Sequence, residues 1–301
     1  MFKKLLIILF FIIVLFALWS VFQSYRASST SGGGIQLFGT NFFSAVSRHV
    51  TSGLSSRDTT SPPYVSIEEL GEFSPVAGMV EIVKSDNSLT TTDLDYEYIE
   101  IRARSSNAQP INISEWSVQS MISNTWIGIP QGTGLYVVGE VNELQDIYLR
   151  PGDRAIIATR QSPVGVSFRV NRCSGFLSDT QSFEPPISTS CVAPSDILPP
   201  TIENLKKYDD ICVRFAENFG KCSYVTSDVT GFENLSKVCR EYIQPRLTYN
   251  FCSTTHANDI DFFANNEWRI FLNQDETLWR ESYEVIRLLD EHNRTVDVFT
   301  Y

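Results

Sequence analysis

Residues 97–105, EYIEIRARS, alternate strictly. Ile99, Ile101 and Ala103 are apolar, and Glu100, Arg102 and Arg104 between them are charged. Successive side chains of a strand point to opposite faces, so this pattern calls for a sheet with one buried and one wet face. It recurs along the chain. MVEIV (79–83) precedes it. After the polar turn SSNAQP, where Pro110 keeps its predecessor out of the helical region, Trp116 and Val118 alternate with Ser117 and Gln119. WIGIP (126–130), LYVVG (135–139), DIYLR (146–150), RAIIATR (154–160) and VSFRV (166–170) continue the series. EWRIFL (267–272), YEVIRLL (283–289) and TVDVFTY (295–301) resume it. Short strands with turn signals at this spacing predict a mainly β chain built as an immunoglobulin-like antiparallel β-sandwich, formed by the blocks 78–170 and 267–301. Ile99, Ile101, Trp116 and Val118 are expected in its core. Trp268 reads as core too. Trp126 and Trp279 read as core in preference to loop residues that stack on a sugar.

Between the two strand blocks the periodicity changes. Alternation stops at Asn171–Arg172–Cys173, and an irregular proline-rich stretch runs from Pro185 to Pro200. Leu205, Tyr208, Cys212, Phe215 and Phe219 then step by three and four, as one face of a helix does. Pro200–Thr201 is the expected start and Gly220 the expected stop. Phe232, Leu235, Cys239 and Tyr242 predict a second helix ending before Pro245. This helical segment, about 172–262, reads as an insertion in the sandwich.

The segment also holds all six cysteines: Cys173, Cys191, Cys212, Cys222, Cys239 and Cys252. An even number in a segment outside a membrane points to three disulfides. No C-x-x-C pair is present, so thiolate zinc is poorly supported. Connectivity stays open, with one pair suggested. Cys212 and Cys239 lie on the apolar stripes of the two helices and meet if these pack as a hairpin, with Cys222 and Cys252 on connecting segments.

The start of the chain sets its address. Residues 5–22 are apolar except for Ser20. Wound as a helix they reach about 27 Å, close to the ~30 Å hydrocarbon core of a bilayer. The run is longer than a secretory signal requires and ends in Trp19, Phe22, Tyr25 and Arg26 with no Ala-x-Ala, which favours an uncleaved signal anchor over residues 1–26. Lys3 and Lys4 predict a cytoplasmic N-terminus and an extracytoplasmic C-terminal domain: a single-pass protein whose lipid contact is residues 5–22. Residues 27–63 have the Ser/Thr/Gly composition of a flexible linker. Phe38, Phe42, Val46, Val50 and Leu54 recur every four residues there, the alternative being a short amphipathic helix. The sandwich with its insertion then occupies 64–301. Residues 27–301 carry 21 basic against 35 acidic groups, a net charge of −14. Such a domain repels nucleic-acid phosphate, so nucleic acid is not expected as a partner.

The order of motifs resembles that of lamin-tail domains, in particular membrane-anchored bacterial ones with cysteine-rich inserts. EYIEI (97–101) is similar to the family's opening strand, and PINISEWSV (110–118) to its polar step and Trp strand. IPQGT (129–133), LRPGDRAII (149–157) and LLDEHNRTVDVF (288–299) follow in the family's order, with Asn293 or Arg294 where glycine is common. The resemblance covers about 130 residues. It implies an immunoglobulin-like fold and a role in binding, tethering or scaffolding at surfaces, here at the cell envelope. It carries no catalytic residues.

The residues themselves propose no catalytic site. There is no G-x-S-x-G, and the histidines are His49, His256 and His292. No enzyme activity and no cofactor are expected. The weak metal candidates are His256, Asp259 and Asp261 in HANDID, which in principle suit zinc or calcium but read first as a polar loop. Asn112, Asn234 and Asn293 begin glycosylation sequons in a host that modifies such sites. The expected partner is an envelope protein. The alternative is a glycan, with the chain acting as a glycan-binding accessory of an envelope hydrolase.

Overall fold

Every second residue of β2 (Tyr98–Ala103) is buried on one face, because Ile99, Ile101 and Ala103 all pack inward. The computed structural model describes residues 63–83 and 88–301. The anchor at 1–26, its span at 5–22 and the linker up to residue 62 lie outside the described residues. Among the described residues no helix is long and apolar enough to cross a membrane.

The strand β2 belongs to a six-stranded sheet. Its strands, in spatial order, are β1 (Val80–Val83), β2, β8 (Arg154–Ala158), β10 (Glu267–Phe271), β9 (Ser167–Arg169) and β6 (Gly132–Thr133). A four-stranded sheet runs β12 (Thr295–Thr300), β11 (Val285–Leu289), β4 (Ser117–Ser120) and β5 (Trp126–Gly128). β3 (Ile111–Asn112) and β7 (Tyr148–Leu149) form a separate pair.

The two larger sheets share one apolar core. Ile99, Ile101, Ala155, Trp268 and Ile270 come from the first, and Val118, Ile286, Leu288, Val296 and Phe299 from the second. Trp116, just ahead of β4, and Trp279 complete it. Each large apolar side chain buried here stabilises the fold by about 1.5–3 kcal/mol relative to exposure. Val65 and Leu70 cover the far face of the four-stranded sheet through Val285 and Val298.

Purely antiparallel pairing is not what the chain adopts. β10 runs parallel to β8, and β6 runs parallel to β9. Parallel neighbours need a long crossover, and the insertion supplies one. After β9 the chain leaves the sheet, makes the helical segment, and returns as β10 between β8 and β9. The two ends of the insertion are tied: Val170 N–H donates to Glu267 O at 2.9 Å, and Arg172 N–H to Phe262 O at 2.8 Å.

A second departure is LYVVG, which forms a loop and not a strand. Side-chain amides satisfy its backbone in place of a ladder. Asn142 pairs with both the N–H and the C=O of Val137, and Asn250 does the same for Val138.

The insertion contains α1 (Pro194–Ile197), α2 (Ile202–Asn218), α3 (Lys237–Ile243) and α4 (Tyr249–His256). Thr201 caps α2 by accepting from Asn204 N–H, and Ser236 caps α3 through Cys239 N–H. α2 is interrupted at Asp209, whose φ is +66°. Its carboxylate accepts Cys212 N–H at 2.9 Å and so restarts the helix. α4 departs from the expected connecting segment: Cys252 sits in a helix capped by Thr248.

Three disulfides brace this segment: Cys173–Cys252, Cys191–Cys222 and Cys212–Cys239. The last joins the two apolar stripes, within a core that includes Tyr208, Val213, Leu235 and Ile243.

Candidate functional site

The six-stranded sheet has two unlike halves on its outer face. At one end Ala158, Phe168 and Phe271 pack beneath the insertion, against Phe176, Phe183 and Tyr249. The insertion reaches inward as far as Arg269, whose Nη1 and Nη2 donate to the carbonyls of Pro185 (2.5 Å) and Pro186 (3.3 Å). Burial lowers the pKa of this guanidinium, while the charge of Glu267 opposes that shift. Beyond Arg269 the outer face emerges uncovered.

Register lines up one row of charges there. Glu81 on β1 is opposite Arg102 on β2, Arg102 is opposite Arg154 on β8, and Arg154 is opposite Glu267 on β10. Arg104 continues the same face of β2. Carboxylates orient each guanidinium. Arg102 Nη2 is 2.6 Å from Glu100 Oε1, Arg154 Nη2 is 2.5 Å from Glu267 Oε2, and Arg104 Nη2 is 3.4 Å from Glu81 Oε2. Glu267 is nearly buried and also holds Arg269 Nε at 2.6 Å, so two arginines share it.

Two turns wall this row into an open cleft of about 620 Å³. One is 104–107, closed by Asn107 N–H to Arg104 O and anchored by the Asn107 amide on Met79 O. The other is the PGD turn. Gly152 adopts φ +86°, a conformation other residues adopt only under strain, and its N–H donates to Ala103 O. Ser105, Ser106, Asn265 and Asn266 add hydroxyls and amides to the lining.

The residues singled out from the sequence fall elsewhere. His256 Nδ1 lies 2.7 Å from Asp259 Oδ2, and Arg172 Nη1 lies 3.3 Å from both Asp259 and Asp261. The three are therefore brought together, but around a guanidinium. A second grouping, Asp290, Glu291 and His292, is equally engaged. Asp290 holds Arg294 and accepts from His292 N–H, and Glu291 accepts the Trp116 indole N–H at 3.0 Å. In both groups carboxylates are already bonded to side chains outside the group.

Trp279 is in the core, whereas Trp126 is 62% exposed on the edge strand β5, contrary to the expected core role. Its period-two position places it on the face opposite Val118 and Ile127, away from the shared core. Asn112, Asn234 and Asn293 are all exposed.

The arginine row escaped the sequence reading. Arg102 and Arg104 were visible as a wet face, but the neighbours of that face depend on sheet order and register. No family model matches the chain, and no curated protein or solved structure does either.

Proposed function

We propose that the chain is a membrane-anchored, extracytoplasmic binding module: an immunoglobulin-like sandwich of the lamin-tail kind that tethers or scaffolds at the cell envelope. The observation that carries this reading is the pairing of all six cysteines, which leaves no free thiol among the described residues. Three disulfides persist in an oxidising compartment, in accord with an anchor that sends the C-terminal domain outward. The shared core of the two sheets supports the sandwich, and the open cleft on a braced framework supports binding.

Protease treatment of intact cells tests the location, combined with alkylation before and after reduction. The expected result is digestion of the domain from outside, with the cysteines labelled only after reduction. A protected domain with reactive thiols would overturn the reading. A pull-down from envelope fractions then identifies the partner. Exposed Trp126 favours the second reading, a glycan-binding accessory. For that reading a glycan array should show one bound glycan class, lost in Trp126→Ala.

A further inference from the structure

We infer that the cleft over Arg102, Arg104 and Arg154 is a binding site for an oxyanion (carboxylate, sulfate or phosphate) carried on a small hydroxylated body. This deepens, and rests on, the reading of the domain as a binding module.

Arg102 and Arg154 are directly opposite on neighbouring strands, and like charges in that position destabilise a sheet. Glu100 pairs with Arg102 at 2.6 Å and more loosely with Arg154 at 3.8 Å, and Glu267 holds Arg154 from the other side at 2.5 Å. Arg104, whose partner Glu81 stands off at 3.4 Å, is the most loosely paired of the three, and an anion above the row would complete its pairing.

Each guanidinium carries five N–H groups in a planar fork. Arg102 and Arg104 each use one Nη on a carboxylate, and their Nε and Nη1 have no partner among the described residues. Those two arginines are 46% and 31% exposed, so the unused donors are accessible. Planar forks of this type suit oxyanions, which accept two parallel bonds.

The side chains of Ser105, Ser106 and Asn265 make no hydrogen bond among the described residues, and no aromatic ring lines the cleft. Such a surface recognises hydroxyls by hydrogen bonding without stacking on an apolar face. A volume of about 620 Å³ falls within the range of small-molecule sites. Among the lining residues Glu81 is the one acid beside three arginines, while Glu100 and Glu267 pair with Arg102 and Arg154 from just outside the lining.

The test is calorimetric titration of the full chain in neutral detergent with glucuronate, inorganic phosphate, sulfate and glucose. Saturable binding of at least one anion is expected, weakening as salt is raised, with none for glucose. Glucuronate binding tighter than the inorganic anions would identify an acidic sugar as the source. Equal binding would identify the free oxyanion. Arg102→Gln and Arg104→Gln should each weaken binding about tenfold, the scale of one hydrogen bond to a charged group. Glu81→Gln removes the competitor of Arg104 and should tighten binding, a gain that a damaged fold does not produce. The inference is overturned if no anion binds, or if affinity is unchanged in both arginine variants. That failure is separable from a failure of the proposed location, since titration does not depend on which side of the membrane the domain occupies.

Discussion

The backbone N–H of Ile82 donates a 2.7 Å hydrogen bond to Oδ2 of Asp297, joining β1 of the six-stranded sheet to β12 of the four-stranded sheet. β1 is an edge strand, and this carboxylate occupies one of its outward amides. Burial pushes the Asp297 carboxyl up from its ordinary value of 3.8 to about 7. The bonds from Ile82 and Val298 N–H and the charge of Arg104 oppose that rise, while Glu81 adds to it. A seam between the sheets is therefore held by a group that folding prefers protonated.

The pH dependence follows from that preference. A carboxyl with a raised folded-state pKa keeps its proton in the folded chain after the unfolded chain has lost it. Its contribution to stability is complete below about pH 3.8 and is lost as pH rises through about 7. Asp297→Asn keeps an oxygen to accept from Ile82 and cannot ionise. The variant should gain stability over the parent across this window, by on the order of 2–4 kcal/mol at neutral pH. Urea unfolding from pH 4 to 8 measures the difference. A constant difference across that range would show that Asp297 does not titrate as described.

The disulfides differ in what they close. Cys173–Cys252 spans a separation of 79 residues, against 31 for Cys191–Cys222 and 27 for Cys212–Cys239. On the chain-entropy account the longest loop contributes about 4–5 kcal/mol and the shorter ones about 3–4 kcal/mol. Replacing both members of Cys173–Cys252 with serine should therefore cost about 1 kcal/mol more than the same change at either other pair. It also releases α4 from the start of the insertion, so the loss should extend to Asn250 and its loop. Denaturant midpoints of the three double-serine variants provide the ranking, and an inverted order would sink this account.

Strands announce themselves through period two, so Ile99, Ile101 and Val118 were legible as core and Glu100, Arg102 and Arg104 as the wet face. Cys212 and Cys239 were legible as a pair because each sits on an apolar helical stripe, and two stripes must face one another. The return of β10 between β8 and β9 was not legible. It is decided by which neighbours satisfy the β10 backbone, a long-range property with no local signature. The arginine row inherits that ambiguity, since a slip of one residue would turn every side chain of β8 to the other face. LYVVG misled for a different reason. Its composition suits a strand, but the partners of its backbone are two asparagine side chains, one of them 112 residues away.

Those asparagines define the last prediction. Asn142 accepts from Val137 N–H at 2.7 Å and donates to Val137 O at 3.0 Å and Glu140 O at 3.1 Å. Asn250, on α4, accepts from Val138 N–H and donates to Val138 O, both at 2.9 Å. Loss of either amide leaves the loop backbone to water, which can reach it because Leu135, Val138 and Val141 are exposed. The cost is therefore local. Asn142→Ala should lower global stability by only about 1 kcal/mol, while the Val137 amide exchanges its hydrogen much faster and the loop becomes open to proteases. Asn142→Asp keeps the acceptor for Val137 N–H and loses the donors, so its exchange rate should fall between parent and alanine variant. Asn250→Ala should deprotect Val138 and leave Val137 largely protected. Hydrogen exchange resolved by residue distinguishes the two. Unchanged protection of Val137 in Asn142→Ala would mean that packing of Tyr136, and not the asparagine clamp, holds the loop.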